Sequence, residues 1–148
     1  MSWDLYAQDF PPVASVEDIP EDFDPQPLGP RDTVILKIRA VLPDVDFSDP
    51  GWGLLRREGW SIEFNLGNDA ECSGVSLYVR GGGADAMEVV DSILHAIGAR
   101  GIDLQTSRFF TLEAARKSFG TWQDYRDQVV AEYAPAPKRG LLSRLFGK

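Results

Sequence analysis

Apolar and polar residues alternate strictly at the start of the chain. Trp3, Leu5 and Ala7 fall on one side, and Ser2, Asp4, Tyr6 and Gln8 on the other. A period of two predicts a strand with one buried face. The same alternation returns at Trp60, Ile62, Phe64 and Leu66, and again at Val75, Leu77 and Val79. A shorter strand is predicted over Leu54–Arg57, turning at Gly59 into the Trp60 strand. Two other stretches keep a helical period instead. Val34, Ile35, Ile38, Val41 and Leu42 form one apolar face, with Pro30 suited to a first turn and Pro43 to a stop. Met87, Val90, Leu94 and Ile97, widened by Val89 and Ile93, form another from Asp85 to Ala99, with Gly98 and Gly101 as stops. A last strand over Ile102–Thr106 and two helices capped by Thr111 and Thr121 follow, the second presenting Trp122, Tyr125, Val129 and Tyr133. The order is β-α-β-β-β-α-β-α-α. Alternation of this kind belongs to antiparallel sheets that are wet on one side. The predicted fold is therefore α+β: two layers, a mostly antiparallel sheet with helices on one face.

Three segments carry no such period. Residues 10–30 hold six prolines, which exclude a helix or a central strand. Glu17, Asp18, Glu21, Asp22 and Asp24 lie there too, with Val13, Val16, Ile19 and Phe23 available to pin the loop down. A loop this long is either functional or mobile. Asp44 to Gly53 reads as a turn-rich connection. After Pro135 and Pro137 comes a basic tail, in which Leu141, Leu142, Leu145 and Phe146 would share one helical face among Lys138, Arg139, Arg144 and Lys148. That pattern suits docking on a membrane surface or a partner, though the segment is short for an isolated helix. The reading is one domain over residues 1–133 and a tail over 134–148.

Composition narrows the function classes. With 148 residues, 43% hydrophobic and 26% charged, the chain is of one-domain size and ordinary globular balance. Its net charge is −8, and because residues 134–148 hold four basic groups and no acid, the remainder carries −12. An acidic body argues against a nucleic-acid partner and favours a basic protein. Cys72 is the only cysteine, so no disulfide joins two parts of the chain, which fits a reducing compartment. The opening residues lack a basic region followed by an apolar stretch, and no apolar run is long enough to span a bilayer. The expected address is the cytoplasm, with peripheral contact at the inner membrane open to the tail.

The opening Met1-Ser2-Trp3-Asp4, the turn Asp49-Pro50-Gly51-Trp52-Gly53 and the strand Ser61-Ile62-Glu63-Phe64-Asn65 resemble a group of small bacterial proteins of unassigned function, over residues 1–105. The resemblance implies a bacterial cytosolic protein. It brings no catalytic or binding residues with it.

Four constellations invite a chemical reading. Gly81, Gly83 and Ala86 fit a dinucleotide-binding glycine pattern, with Asp103 where a ribose-binding acid would stand. The alternating strand before the loop speaks for a structural turn instead, as does the capping-box spacing of Asp85 and Glu88. Asp44, Asp46, Ser48 and Asp49 superficially suggest a calcium loop. Asp49 and Leu55 stand where such a loop needs glycine and glutamate, so turn and cap residues are the better reading. His95 and Cys72 lack the company a metal or nucleophile site requires, and His95 is placed to pair with Asp91. No metal or cofactor is expected.

The wet sheet face carries the fourth constellation: Ser61, Glu63, Asn65, Ser76, Tyr78 and Arg80. There Glu63 and Arg80 can form a cross-strand ion pair. Glu63, Tyr78 and Arg80 are the candidate ligand-binding residues. A non-enzymatic protein-binding module comes first among the functional readings, an acidic inhibitor or immunity-type protein being one version, with Glu17, Asp18, Glu21, Asp22 and Asp24 as its partner-binding residues. A peripheral membrane adaptor using the tail is the second. A small-molecule enzyme on the open face, with Glu63 as acid or base and Arg80 as anion binder, is the third.

Overall fold

The computed structural model describes residues 2–81 and 85–117. The expectations for a helix after Thr121 and for the basic tail lie outside these residues. The described chain runs β1 (Ser2–Gln8), β2 (Gly29–Pro30), α1 (Arg31–Val41), β3 (Asp46–Asp49), β4 (Trp52–Arg57), β5 (Trp60–Asn65), β6 (Glu71–Cys72), β7 (Gly74–Gly81), α2 (Asp85–Ile97), β8 (Arg100–Asp103) and β9 (Arg108–Phe109). Residues 112–117 are helical. Seven strands make one sheet in the order β3-β4-β5-β7-β1-β8-β9, and β2 pairs with β6 separately. Every pairing is antiparallel. The fold is α+β, as the alternation predicts.

The alternating positions point where expected. Trp3, Leu5 and Ala7 of β1 lie opposite Val79, Leu77 and Val75 of β7, and all six are fully buried. Leu55, Ile62 and Phe64 extend the same buried face. The helices α1 and α2 pack together on it, inserting Val34, Ile38, Val90 and Ile93 into a single core. Each fully buried side chain of this kind contributes about 1.5–3 kcal/mol. The end of α2 explains how the chain turns back so quickly. Gly98 has a φ of 67°, its N–H donates to His95 O at 3.3 Å, and the Ala99 N–H donates to Leu94 O at 3.0 Å. This left-handed cap satisfies the last carbonyls and lets β8 begin at Arg100.

Five strands differ from expectation. The turn-rich segment 44–53 contains strand β3, which pairs with β4 around a register irregularity. Its Asp and Ser residues read as turn formers, yet Phe47 packs on Phe64, with ring centroids 6.0 Å apart, and over Gly53. A Cβ on Gly53 would stand 2.5 Å from the Phe47 ring, so only glycine admits that ring. The acids of β3 suit an edge strand, because charge there discourages pairing with another chain. Strand β8 lies two residues earlier than predicted and buries Gly101 and Asp103 rather than Ile102. The short β2, β6 and β9 carry too few residues to show a period.

Burial of Asp103 has a specific cause. Its Oδ2 accepts a hydrogen bond from Trp3 Nε1 at 3.0 Å, and its Oδ1 accepts from the Gln105 N–H at 2.9 Å. The carboxylate thus joins the first strand to the turn between β8 and β9. Removing one partner of a buried hydrogen bond strands the other. Asp103→Ala should therefore cost about 1–3 kcal/mol in urea unfolding, and Asp103→Asn, which keeps an acceptor, distinctly less.

Candidate functional site

The face of the sheet opposite α1 and α2 is built from the polar positions of the same strands. Register sets them in rows. Arg56 of β4 lies opposite Ser61 of β5, Ser61 opposite Arg80 of β7, and Arg80 opposite Ser2 of β1. The next row is Leu54, Glu63, Tyr78 and Asp4, and the one after it Trp52, Asn65, Ser76 and Tyr6. The six residues expected on the wet face therefore do share it. Arg80 Nε donates to Glu63 Oε2 at 3.1 Å, a diagonal pair between neighbouring strands. Tyr78 stacks on Trp52 with centroids 5.8 Å apart and planes 19° from parallel, and Trp52 stays 39% exposed.

This face has two ends of different character. At the β8–β9 end the loop after β1 covers it. Phe10 meets Tyr6 and Phe109 edge-on. The Arg100 guanidinium lies 3.6 Å over the Phe109 ring and donates to Pro11 O at 2.6 Å and Val13 O at 2.8 Å. At the β4–β5–β7 end none of the described residues covers the face. A depression of 450 Å³ there is lined by Leu54, Arg56, Arg57, Trp60, Ser61, Glu63, Arg80 and Gly81. Arg57 sits on its rim and pairs with Asp44. Trp52, Arg56 and Arg57 escaped the sequence reading of this surface. Register between β4 and β5 is what brings Arg56 beside Ser61, and alternation within one strand does not report register.

The acidic loop keeps its five carboxylates, Glu17, Asp18, Glu21, Asp22 and Asp24, exposed. Val13, Val16, Ile19 and Phe23 are half-buried within it. Asp18 accepts from Ser15 Oγ at 3.0 Å across a short 3-10 turn, and the Gln26 N–H donates to Asp9 at 3.3 Å. With the two Arg100 bonds, these contacts tie down a loop that has little regular structure. Glu17 also borders a cleft of 680 Å³ whose far wall holds Arg100, Ser107, Arg108, Phe109 and Thr111.

The remaining constellations have structural roles. Gly83 lies outside the described residues; strand β7 before it is antiparallel to both neighbours, unlike the parallel strand of a dinucleotide-binding unit, and Asp103 is bonded to Trp3. Asp85 and Glu88 both stand in the first turn of α2, and Glu88 accepts from Arg116 at 3.1 Å. Asp46 accepts from the Ser48 hydroxyl and N–H, which hold its carboxyl below the usual range, and Asp49 accepts from the Gly51 N–H. No group of three metal-ligating side chains occurs among the described residues. His95 is exposed and pairs with Asp91, four residues before it.

Cys72 is fully buried, and its thiol donates to Gly74 O at 3.4 Å. Burial is the main cause that pushes this thiol above its ordinary pKa. In the native protein it should react with a thiol reagent only as fast as the structure opens, and should become fully reactive in denaturant. The stability linked to this group is fully present below the thiol's ordinary pKa. It is lost as the pH rises from there through the raised value. Urea midpoints of wild type and Cys72→Ala measured across that alkaline range should show the wild type falling more steeply.

The tail residues Lys138, Arg139, Leu141, Leu142, Arg144, Leu145, Phe146 and Lys148 lie outside the described residues. No helix among those described is long and apolar enough to cross a membrane. The chain matches no protein-family model, no curated protein and no solved structure.

Proposed function

We propose that this protein is a non-enzymatic binding module that holds a basic protein partner against the acidic loop and the cleft beside it. One observation carries the reading: the loop exposes its carboxylates from a tethered backbone. Arg100 donates to two loop carbonyls, and Glu17, Glu21, Asp22 and Asp24 have no ion-pair partner among the described residues. Tethering lowers the entropy lost when a partner binds, and unpaired carboxylates keep their full attraction for a basic surface. A net charge of −8 adds long-range steering. An inhibitor or immunity-type protein that neutralises a basic enzyme is one form of this function.

The enzymatic reading has less support. Glu63, its proposed acid or base, is already paired with Arg80 on an open surface. Water-excluded geometry of the kind that strengthens charge in a catalytic site is not evident around it.

The test is an affinity capture from bacterial lysate with three full-length proteins. They are wild type, a variant with Glu17→Gln, Asp18→Asn, Glu21→Gln, Asp22→Asn and Asp24→Asn, and a variant with the four tail cations changed to Gln. A basic protein held by wild type and the tail variant should be lost, or bound at least tenfold more weakly, by the loop variant. Equal recovery by the loop variant would overturn the proposal. Loss confined to the tail variant would move the function to residues 138–148.

A further inference from the structure

The row Arg56–Ser61–Arg80 sets three hydrogen-bond donors side by side on adjacent strands of the open face. Strands stand about 4.8 Å apart, so Arg56 and Arg80 flank Ser61 with their Cα atoms roughly 10 Å from each other. Two arginine side chains at that spacing can converge above the hydroxyl between them. Arg56 makes no hydrogen bond and no close ion pair among the described residues, and its charge is felt by Asp46 on the flank. Arg80 uses only Nε, toward Glu63, which leaves both of its terminal nitrogens to donate outward. Arg57 borders the same depression, held through one nitrogen by Asp44.

The acids nearby are largely engaged. Glu63 faces Arg80, Asp44 faces Arg57, Asp46 on the flank accepts from Ser48, and Asp4 accepts from Ser2 Oγ at 2.5 Å. The lining of the depression holds three guanidiniums and one carboxylate, Glu63, with Asp44 and Asp46 beside it, on a protein whose net charge is −8. One row away lie Leu54 and Tyr78, and then exposed Trp52. An arginine row beside a partly exposed aromatic pair matches a ligand with an anionic end and an apolar or planar body.

We propose that this depression is a binding site for a small phosphate-bearing ligand, with Arg56, Ser61 and Arg80 donating to the phosphate oxygens and Tyr78 and Trp52 alongside the rest of the molecule. A tetrahedral phosphate offers oxygens to donors arriving from three strands. A guanidinium binds it in paired fashion, with charge assistance. The site is separate from the acidic loop and does not rest on it.

Inorganic phosphate and phenyl phosphate are the probes, titrated into full-length protein and followed by backbone amide spectra and tryptophan fluorescence. Both should give saturable 1:1 binding, with shifts centred on Arg56, Ser61 and Arg80. Phenyl phosphate should bind more tightly and perturb tryptophan emission. Its affinity should rise between pH 5 and 7, because the second ionisation of a phosphate monoester lies near 6. Arg56→Gln and Arg80→Gln, each checked for an unchanged amide spectrum, should weaken binding by about tenfold or more, since each removes charge-assisted bonds to the phosphate. Lys37→Gln, exposed on α1 behind the sheet, should not. Three results would overturn the site: no saturable binding of either probe at millimolar concentration, shifts that map elsewhere, or equal binding by the two arginine variants. Equal competition by chloride would reduce the effect to general charge screening and would also overturn it.

Discussion

Everything in this fold depends on the first strand occupying the slot between β7 and β8. Residues 2–8 pair on one side with residues 74–80 and on the other with residues 100–103. Without β1 the sheet would fall into two unequal parts, and the fully buried Trp3 and Leu5 would face water. These partners are far away in sequence, so the chain must close long loops before the central contacts repay the entropy. The Trp3–Asp103 bond gives this insertion a polar anchor. It also explains why an acid is buried here, since its oxygens have donors to receive them.

Placing β1 in the middle has a consequence for the surface. The chain leaves the sheet at Gln8, crosses the β8–β9 end of the open face and then travels to β2 on its way into α1. Arg100 is central to that crossing, because one guanidinium stacks on Phe109 and donates to two loop carbonyls. The loop thus covers one end of the open face and, among the described residues, the β4–β5–β7 end stays bare. The acids fall on the loop, and the arginines of β4 and β7 fall on the bare end. The five loop acids and the three arginines of the depression therefore lie on different regions, each with its own proposed ligand. Glu63 and Arg80, exposed enough to be well screened, contribute to this pattern more through geometry than through stability.

What the sequence by itself determined were the features that repeat locally. Alternation at residues 2–8, 60–66 and 75–79 established three strands and their buried sides, because successive side chains of a strand must face opposite ways. The helical stripes were legible in the same way, except that Val41 stays exposed and Gly101 belongs to β8 rather than to a helix stop, as was the loop after β1, whose prolines leave few conformations open. Even the Glu63–Arg80 pair was readable, since it needs only neighbouring strands and matching faces.

Only the tertiary structure decided features that depend on what lies across from a residue. Phe47 turns an Asp- and Ser-rich segment into strand β3 because Gly53 and Phe64 receive its ring. Asp103 enters the core because Trp3, a hundred positions earlier, supplies a donor. Arg56 joins Ser61 and Arg80 because the β4–β5 and β5–β7 registers align them. Periodicity describes which way a side chain points along its own strand. It contains no information on which strand will stand beside it, and that choice is made by the packing of the whole core.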